Sequence, residues 1–347
     1  LYLSETTGSL ISVITVKNNS PERRKVDLFL ELGINIKDWN ENWHERGYSI
    51  KRLENKFVVS SEKGSIAFGS FPFGSLDSKG EYKEHYPGGE KQRIFIPGIY
   101  KVSFYLGPES SQEAFFILAP GANEAGALKN FEQEINSFSL SYLEKEKRLA
   151  KIKSMARFES NLDFLDKLFE SSVISLEKLA FDSSFGSGYF AGYPWFLQFW
   201  GRDLAWILPA LVDYGNFEGA REALRTLFKF QSEEGKIPNV IFLNGKASYN
   251  SADSTPLALI ALYHYVMNSA DILFLKEVEK NLEKALNFYG SKKDKNGFVN
   301  SEEKETWMDS LERKGRVLEV QAFWIQALKC GAKLLEILGK DSKRIME

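Results

Sequence analysis

The 347-residue sequence holds one cysteine, Cys330, and three histidines, His44, His85 and His264. A single thiol excludes an intramolecular disulfide, and its place inside an apolar helical pattern makes it a small buried residue. The histidines are scattered without metal-ligand spacing, so neither a metal site nor a cofactor is expected. Charge of one sign is missing too: 45 Lys and Arg stand against 47 Asp and Glu, a net charge of −2. That balance excludes the basic footprint of a nucleic-acid binder and a polybasic membrane segment. No apolar run approaches the roughly 18 residues of a transmembrane helix. The longest, Leu257 to Met267, is interrupted by His264. No signal peptide is visible, because the first residues read as a polar-alternating strand, and the expected location is cytoplasmic.

What is abundant is apolar and aromatic material, 43% and 14% of the chain. At this length it implies about two cores rather than one. Short alternating runs fill the first third: Ser12–Val16, Lys25–Leu32, Phe57–Ser60, Ser65–Phe68, Arg93–Ile96, Tyr100–Tyr105 and Ala114–Leu118. Gly, Pro and Ser clusters separate them, the pattern of a β-sandwich over residues 1–121. Trp39, Trp43 and His44 could line a sugar patch there, but packing is the commoner fate of such residues. Residues 122–156 read as a solvated connecting helix with charge pairs such as Glu144 and Arg148.

From residue 157 to 347 the period is helical. Leu162–Ala180, Glu218–Gln231, Ile272–Tyr289 and Val317–Leu338 carry one charged face each. Leu204–Val212 and Leu257–Met267 are apolar nearly all round. One-faced helices alternating with buried ones predict outer and inner layers, as in part of an (α/α)6 toroid. Between them lie loops rich in aromatics and carboxylates, Phe185–Pro194, Gly235–Asn239, Gly245–Ser251 and Gly297–Asp309, and such loops are commonly functional.

The densest stretch is Tyr193–Trp206, where Trp195, Trp200 and Trp206 accompany the adjacent pair Arg202 and Asp203. Indole faces accept the C–H face of a sugar, and fixed charges bond its hydroxyls. A core segment with a surface ion pair would look the same. Tyr249, Asn250 and Asp253 form a second group, and Thr306, Trp307 and Asp309 a third. A lone Asp before a helix is more often an N-cap, which satisfies free backbone N–H groups. Three such carboxylates beside Trp, Tyr or Asn point instead to a shared cleft. Asp309 packed near Trp307 is expected to be partly desolvated, which would keep a proton available for a leaving oxygen.

Gly192–Trp195, Phe199–Asp203, Ile237–Asn239, Tyr249–Thr255, Thr306–Asp309 and Glu319–Ala322 stand in the order found in glycogen-debranching amylo-α-1,6-glucosidases. The sequence resembles that family over residues 158 to 338, and the glucoamylases more distantly. The resemblance implies an inverting, exo-acting α-glucosidase that removes α-1,6-linked glucose stubs from glycogen-like polysaccharides. A glucoamylase-like enzyme and a non-catalytic glycan-binding fragment are the alternatives. It further implies Asp309 as general acid, with Trp195, Trp200, Arg202, Asp203, Tyr249, Asn250, Asp253, Trp307 and Glu319 lining the glucose subsite. Inversion also needs a second carboxylate, roughly 6.5–9.5 Å from the first, to activate water. Glu305, Glu312 and Glu319 do not match the family's base. The expectation is therefore a fragment, with apolar faces of Leu204–Val212 and Leu257–Met267 left for a missing half of the barrel or a second polypeptide.

Overall fold

The computed structural model describes residues 2–342 except 5, 35, 37–47, 55, 79–80, 87–88, 95–96 and 194. It divides into two compact units, Leu1–Ala150 and Lys151–Glu347. The patch of Trp39, Trp43 and His44 lies outside the described residues.

The first unit contains β1 (Tyr2–Leu3), β2 (Leu10–Lys17), β3 (Arg24–Gly33), β4 (Ser49–Arg52), β5 (Lys56–Ser61), β6 (Gly64–Phe71), β7 (Ser75–Ser78), β8 (Glu81–Tyr86), β9 (Gly89–Ile94), β10 (Pro97–Leu106) and β11 (Ser111–Gly121). One antiparallel sheet runs β1-β2-β11-β6-β5-β4, a second β3-β10-β7, and β8 pairs with β9. The sandwich core lies between the two larger sheets, with Leu32, Tyr100, Val102 and Phe104 from one meeting Phe57, Phe68, Ala114 and Phe116 from the other. The side-chain period of two explains the rest of β11. Ala114 and Phe116 enter that core, so Ile117 and Ala119 face the opposite way. There they meet Ala127 and Phe131 of α1 (Glu124–Met155).

That contact corrects the expectation of a solvated connecting helix. A sheet apolar on both faces needs a cover on each, and α1 supplies the second one. Its Glu134 is fully buried and accepts hydrogen bonds from Thr7 Oγ1 at 2.5 Å and Ser141 Oγ at 2.8 Å.

The second unit contains α2 (Asp163–Glu177), β12 (Ala180–Ser183), β13 (Gly186–Tyr189), β14 (Phe199–Trp200), α3 (Gly201–Asp213), α4 (Phe217–Lys229), β15 (Val240–Ile241), β16 (Ala247–Ser248), α5 (Ser254–Ser269), α6 (Ile272–Glu277), α7 (Glu279–Lys292) and α8 (Leu318–Ile337). α5 packs against both α3 and α8, while α4 covers α3 and α5 and α7 touches α5 and α8. These helices share one apolar core, in which Cys330 is buried. Each fully buried Leu or Val there contributes about 1.5–3 kcal/mol. Asn216 caps α4 by accepting from the Gly219 N–H at 2.9 Å, and Asp271 caps α6 through the Phe274 N–H at 2.9 Å. Among the described residues no helix is long and apolar enough to cross a membrane.

One helical expectation changes and two hold in part. Ile272–Tyr289 is two helices, broken at Val278 (φ −97°, ψ 10°) with no Gly or Pro to announce it. Val317–Leu338 buries Val320, Trp324, Ala327 and Leu334, packs directly on α5, and keeps the expected wet face at Gln326, Lys329, Lys333 and Glu336. α3, α4, α7 and α8 all reach α5 and bury most of Leu257–Met267, while Ile260, Tyr263 and His264 stay half-exposed and Met267 exposed, so the expected uncovered face persists in part. On α3 the exposed apolar side chain is Trp206.

Candidate functional site

The start of α3 is fixed by a small sheet in which β14 pairs with β15 and β15 with β16. The Gly201 N–H donates to the Asn239 carbonyl at 2.8 Å, and the Asn239 N–H to the Ser248 carbonyl at 2.7 Å. A Cβ on Gly201 would sit 2.0 Å from the Pro238 carbonyl oxygen, so only glycine permits this approach. The Ile237 N–H donates to Thr255 Oγ1 at 2.9 Å, which draws in the first turn of α5. Three segments distant in sequence are thereby laced into one block.

On that block Arg202 and Asp253 meet. Arg202 Nε donates to Asp253 Oδ2 at 2.7 Å, and Asp253 is 1% exposed. Its other oxygen accepts from Ser251 Oγ at 2.6 Å, and Ser251 Oγ also accepts the Ser254 N–H at 3.0 Å. Asp253 stands at the N-cap position of α5, yet its side chain makes no capping bond. Asp203 lies inside the first turn of α3, after the N-cap Trp200. The capping explanation therefore fails for Asp253, while the Asp203 carboxyl accepts its own backbone N–H in the first turn. The remaining N–H groups of Arg202 take no other hydrogen bond among the described residues, so the fork is free to bind hydroxyls. Burial pushes the Asp203 carboxyl above its ordinary value, against the opposing pull of Arg202, and the charge of Asp253 adds to the rise.

The aromatic groups divide. Trp200 is half-buried, and its indole N–H donates to Gln198 Oε1 at 3.1 Å, which fixes the ring. Trp195 is 72% exposed, a free face at the rim. Tyr249 serves differently from the sequence expectation. Its hydroxyl donates to the Phe230 carbonyl at 2.8 Å, tying the loop to the end of α4, and burial raises its phenol above the usual value. Asn250 donates to the Lys304 carbonyl at 3.4 Å, an interloop tie.

Asp309 departs furthest from expectation. Both it and Trp307 are exposed, so the desolvating contact between them is absent. Trp307 instead donates its indole N–H toward Glu319. Glu319, in the first turn of α8, forms a forked ion pair with Arg313 at 2.6 and 3.0 Å. The Arg313 guanidinium holds the Glu319 carboxyl below the usual carboxylate range, so Glu319 remains an anion and anchors the loop. Gln321 does the same through the Val299 backbone, accepting at 3.0 Å and donating at 2.8 Å.

The structure thus brings Trp200, Arg202, Asp203 and Asp253 together on one block, fastens Asn250 to the loop that leads to Trp307 and Asp309, and leaves Trp195 at the rim. Cavities of about 190 Å³, beside Ile152 and Phe169, and about 280 Å³, beside Tyr189 and Asn216, are lined by none of these side chains. Sequence reasoning overlooked Gln198, Ser251, Lys236 and the part played by Glu305. Gln198 was visible as a polar residue between Leu197 and Phe199, and Ser251 as a hydroxyl two positions before Asp253. Lys236 and Glu305 pair across 69 positions, at 2.9 Å, where no spacing rule reaches.

Residues 154–346 match the family model described as amylo-alpha-1,6-glucosidase, more than half of the chain. A bacterial glucoamylase complexed with acarbose superposes with a TM-score of 0.54 and 15% identity, over 84% of this chain and 44% of its own. A putative kojibiose phosphorylase from human microbiome gives 0.46 and 15%, over 99% and 50%. A rhamnosidase from Klebsiella oxytoca with rhamnose bound gives 0.44 and 13%, over 93% and 66%. The chain spans less than half the length of the glucoamylase, and at that identity the likeness is one of fold. No curated protein matches it.

Proposed function

Because the chain belongs to the amylo-alpha-1,6-glucosidase family, we propose that it acts in an inverting, exo-acting α-glucosidase that clears α-1,6-linked glucose stubs from glycogen-like polysaccharides. The observation that carries this reading is the buried Arg202–Asp253 pair, laced between two helix starts with Asp203 beside it. An anion that fixes one edge of a guanidinium leaves its other donors aimed and preorganised, which suits the hydroxyls of a terminal glucose. Trp200 and the exposed Trp195 offer faces for the ring, and Trp307 a third on the opposite loop.

In the proposed reaction Asp309 gives its proton to the glycosidic oxygen as the C1–O bond breaks. Water adds to C1 from the other side and loses its proton to a second carboxylate, so β-glucose leaves. None of the carboxylates of this chain is assigned that second role. In our reading further polypeptide completes the helical layers as an (α/α)6 toroid, supplies the base and closes over Asp309. Burial of that kind is what would make Asp309 an effective acid. The same reading places the protein in the cytoplasm, where glycogen-like stores lie.

The test is turnover of an α-1,6-stubbed limit dextrin against maltose, with the first anomer followed by NMR. The expected result is β-glucose released first and the α-1,6 bond preferred. Preference for maltose would move the reading to a glucoamylase-like α-1,4 enzyme, and α-glucose first would remove inversion. The exposure of Asp309 favours one rival, a glycan-binding module. It would show binding of acarbose without turnover of either substrate.

A further inference from the structure

Among the ties of the loop that carries Trp307 and Asp309, Glu305 makes three. Glu305 Oε1 accepts from Lys236 Nζ at 2.9 Å, Glu305 Oε2 accepts the Glu302 N–H at 2.8 Å, and the Glu305 carbonyl accepts the Ala252 N–H at 2.8 Å. Lys304, just before it, adopts a left-handed conformation (φ 63°), and its carbonyl takes the Asn250 amide. A non-glycine residue held there costs on the order of 1–3 kcal/mol and persists only where its surroundings over-determine it. Lys236 is equally constrained. Its N–H donates to Ser232 Oγ at 2.9 Å, its carbonyl accepts the Ser232 N–H at 2.9 Å, and the next residue is bonded to Thr255. The two side chains are 17% and 14% exposed, so their ion pair is less screened than a surface pair.

Lys236 belongs to the block that holds Asp253, and Glu305 stands four positions before Asp309. We infer that Glu305, clamped by Lys236, is a positioning residue that sets the reach of Asp309 toward the bond above the Arg202–Asp253 pair. The inference rests on the proposed role of Asp309 as general acid. It adds a specific demand: the pair matters where the leaving oxygen needs a proton and matters little where it does not. Displacing a catalytic group by about 1 Å costs roughly 10²-fold in rate.

The experiment compares two substrates in the protein carrying these residues: an α-1,6-linked glucoside, whose leaving alkoxide needs protonation, and α-glucosyl fluoride, whose fluoride departs without it. Glu305→Ala and Lys236→Met should lower kcat on the glucoside by roughly 10²-fold with KM nearly unchanged. Turnover of the fluoride should fall far less. Lys236→Arg, which keeps the cation, should restore most of the loss. Should Glu305→Ala fail to fold, Glu305→Gln is the milder substitute with the same expected asymmetry. Parallel loss on both substrates would show a merely structural tie and overturn the inference, as would unchanged turnover of the glucoside. A wild-type protein inactive on both substrates would instead remove the functional reading, and the positioning role with it.

Discussion

The two sides of the site are built differently. On one side Arg202, Asp203 and Asp253 grow out of helix starts sealed by backbone bonds between β14, β15 and β16, and Asp253 is almost wholly buried. On the other, Trp307 and Asp309 lie exposed on the loop between α7 and α8, tied back through Glu305 and through Arg313 with Glu319. The contrast teaches a division of labour. Under the proposed function the recognition half is preformed, because its side chains belong to the core and are fixed before any sugar arrives. The proposed acid, Asp309, is instead exposed on its loop, and in that proposal further polypeptide closes over it.

Substitutions on the buried side should cost stability, and those on the exposed side mainly turnover. The largest stability loss is expected for Asp253→Ala, about 3 kcal/mol in chemical unfolding, because it strands the Arg202 cation. Gly201→Ala comes next, about 1–3 kcal/mol, as its methyl group meets the Pro238 carbonyl and strains the small sheet. Arg313→Ala, which breaks a partly exposed pair on the other side, should cost less than about 1 kcal/mol. A loss from Arg313→Ala equal to that from Asp253→Ala would erase the contrast. The smallest effect is a pH dependence. Burial raises the Asp203 carboxyl, so the folded chain holds that proton more tightly than the unfolded one. Its contribution to stability is present below the unfolded value and is lost as pH rises through the folded value. Asp203→Asn removes that loss, so relative to wild type the variant's Tm should gain more at pH 7 than at pH 4. A gain that shrinks with rising pH would mean that the attraction of Arg202 outweighs burial.

How much of this was legible beforehand follows the same division. The helical period located α3, α4, α5 and α8 because each buries a continuous face, and the alternation in Ala114–Leu118 announced β11. Arg202 and Asp203 drew notice as charges beside Trp200 at a helix start, and Asp253 as a carboxylate following Tyr249 and Asn250. The sequence hid what depends on long-range meeting. The break at Val278 has no local breaker, and the second apolar face of β11 did not tell that α1 would cover it. Nor did any spacing reveal that Lys236 finds Glu305, or that Trp307 turns to Glu319 rather than to Asp309. Tyr249 was expected in the subsite from its place beside Asn250 and Asp253, and no spacing told that its hydroxyl would donate to the Phe230 carbonyl.

The most direct test of the division is to measure Asp309→Asn for acarbose binding by calorimetry and for turnover of an α-1,6-linked glucoside. If recognition is preformed and Asp309 supplies only the proton, turnover should fall by roughly 10²–10⁴-fold while affinity stays within a few-fold of wild type. Equal loss of binding and turnover would contradict the account, because it would make the exposed loop part of the recognition surface itself.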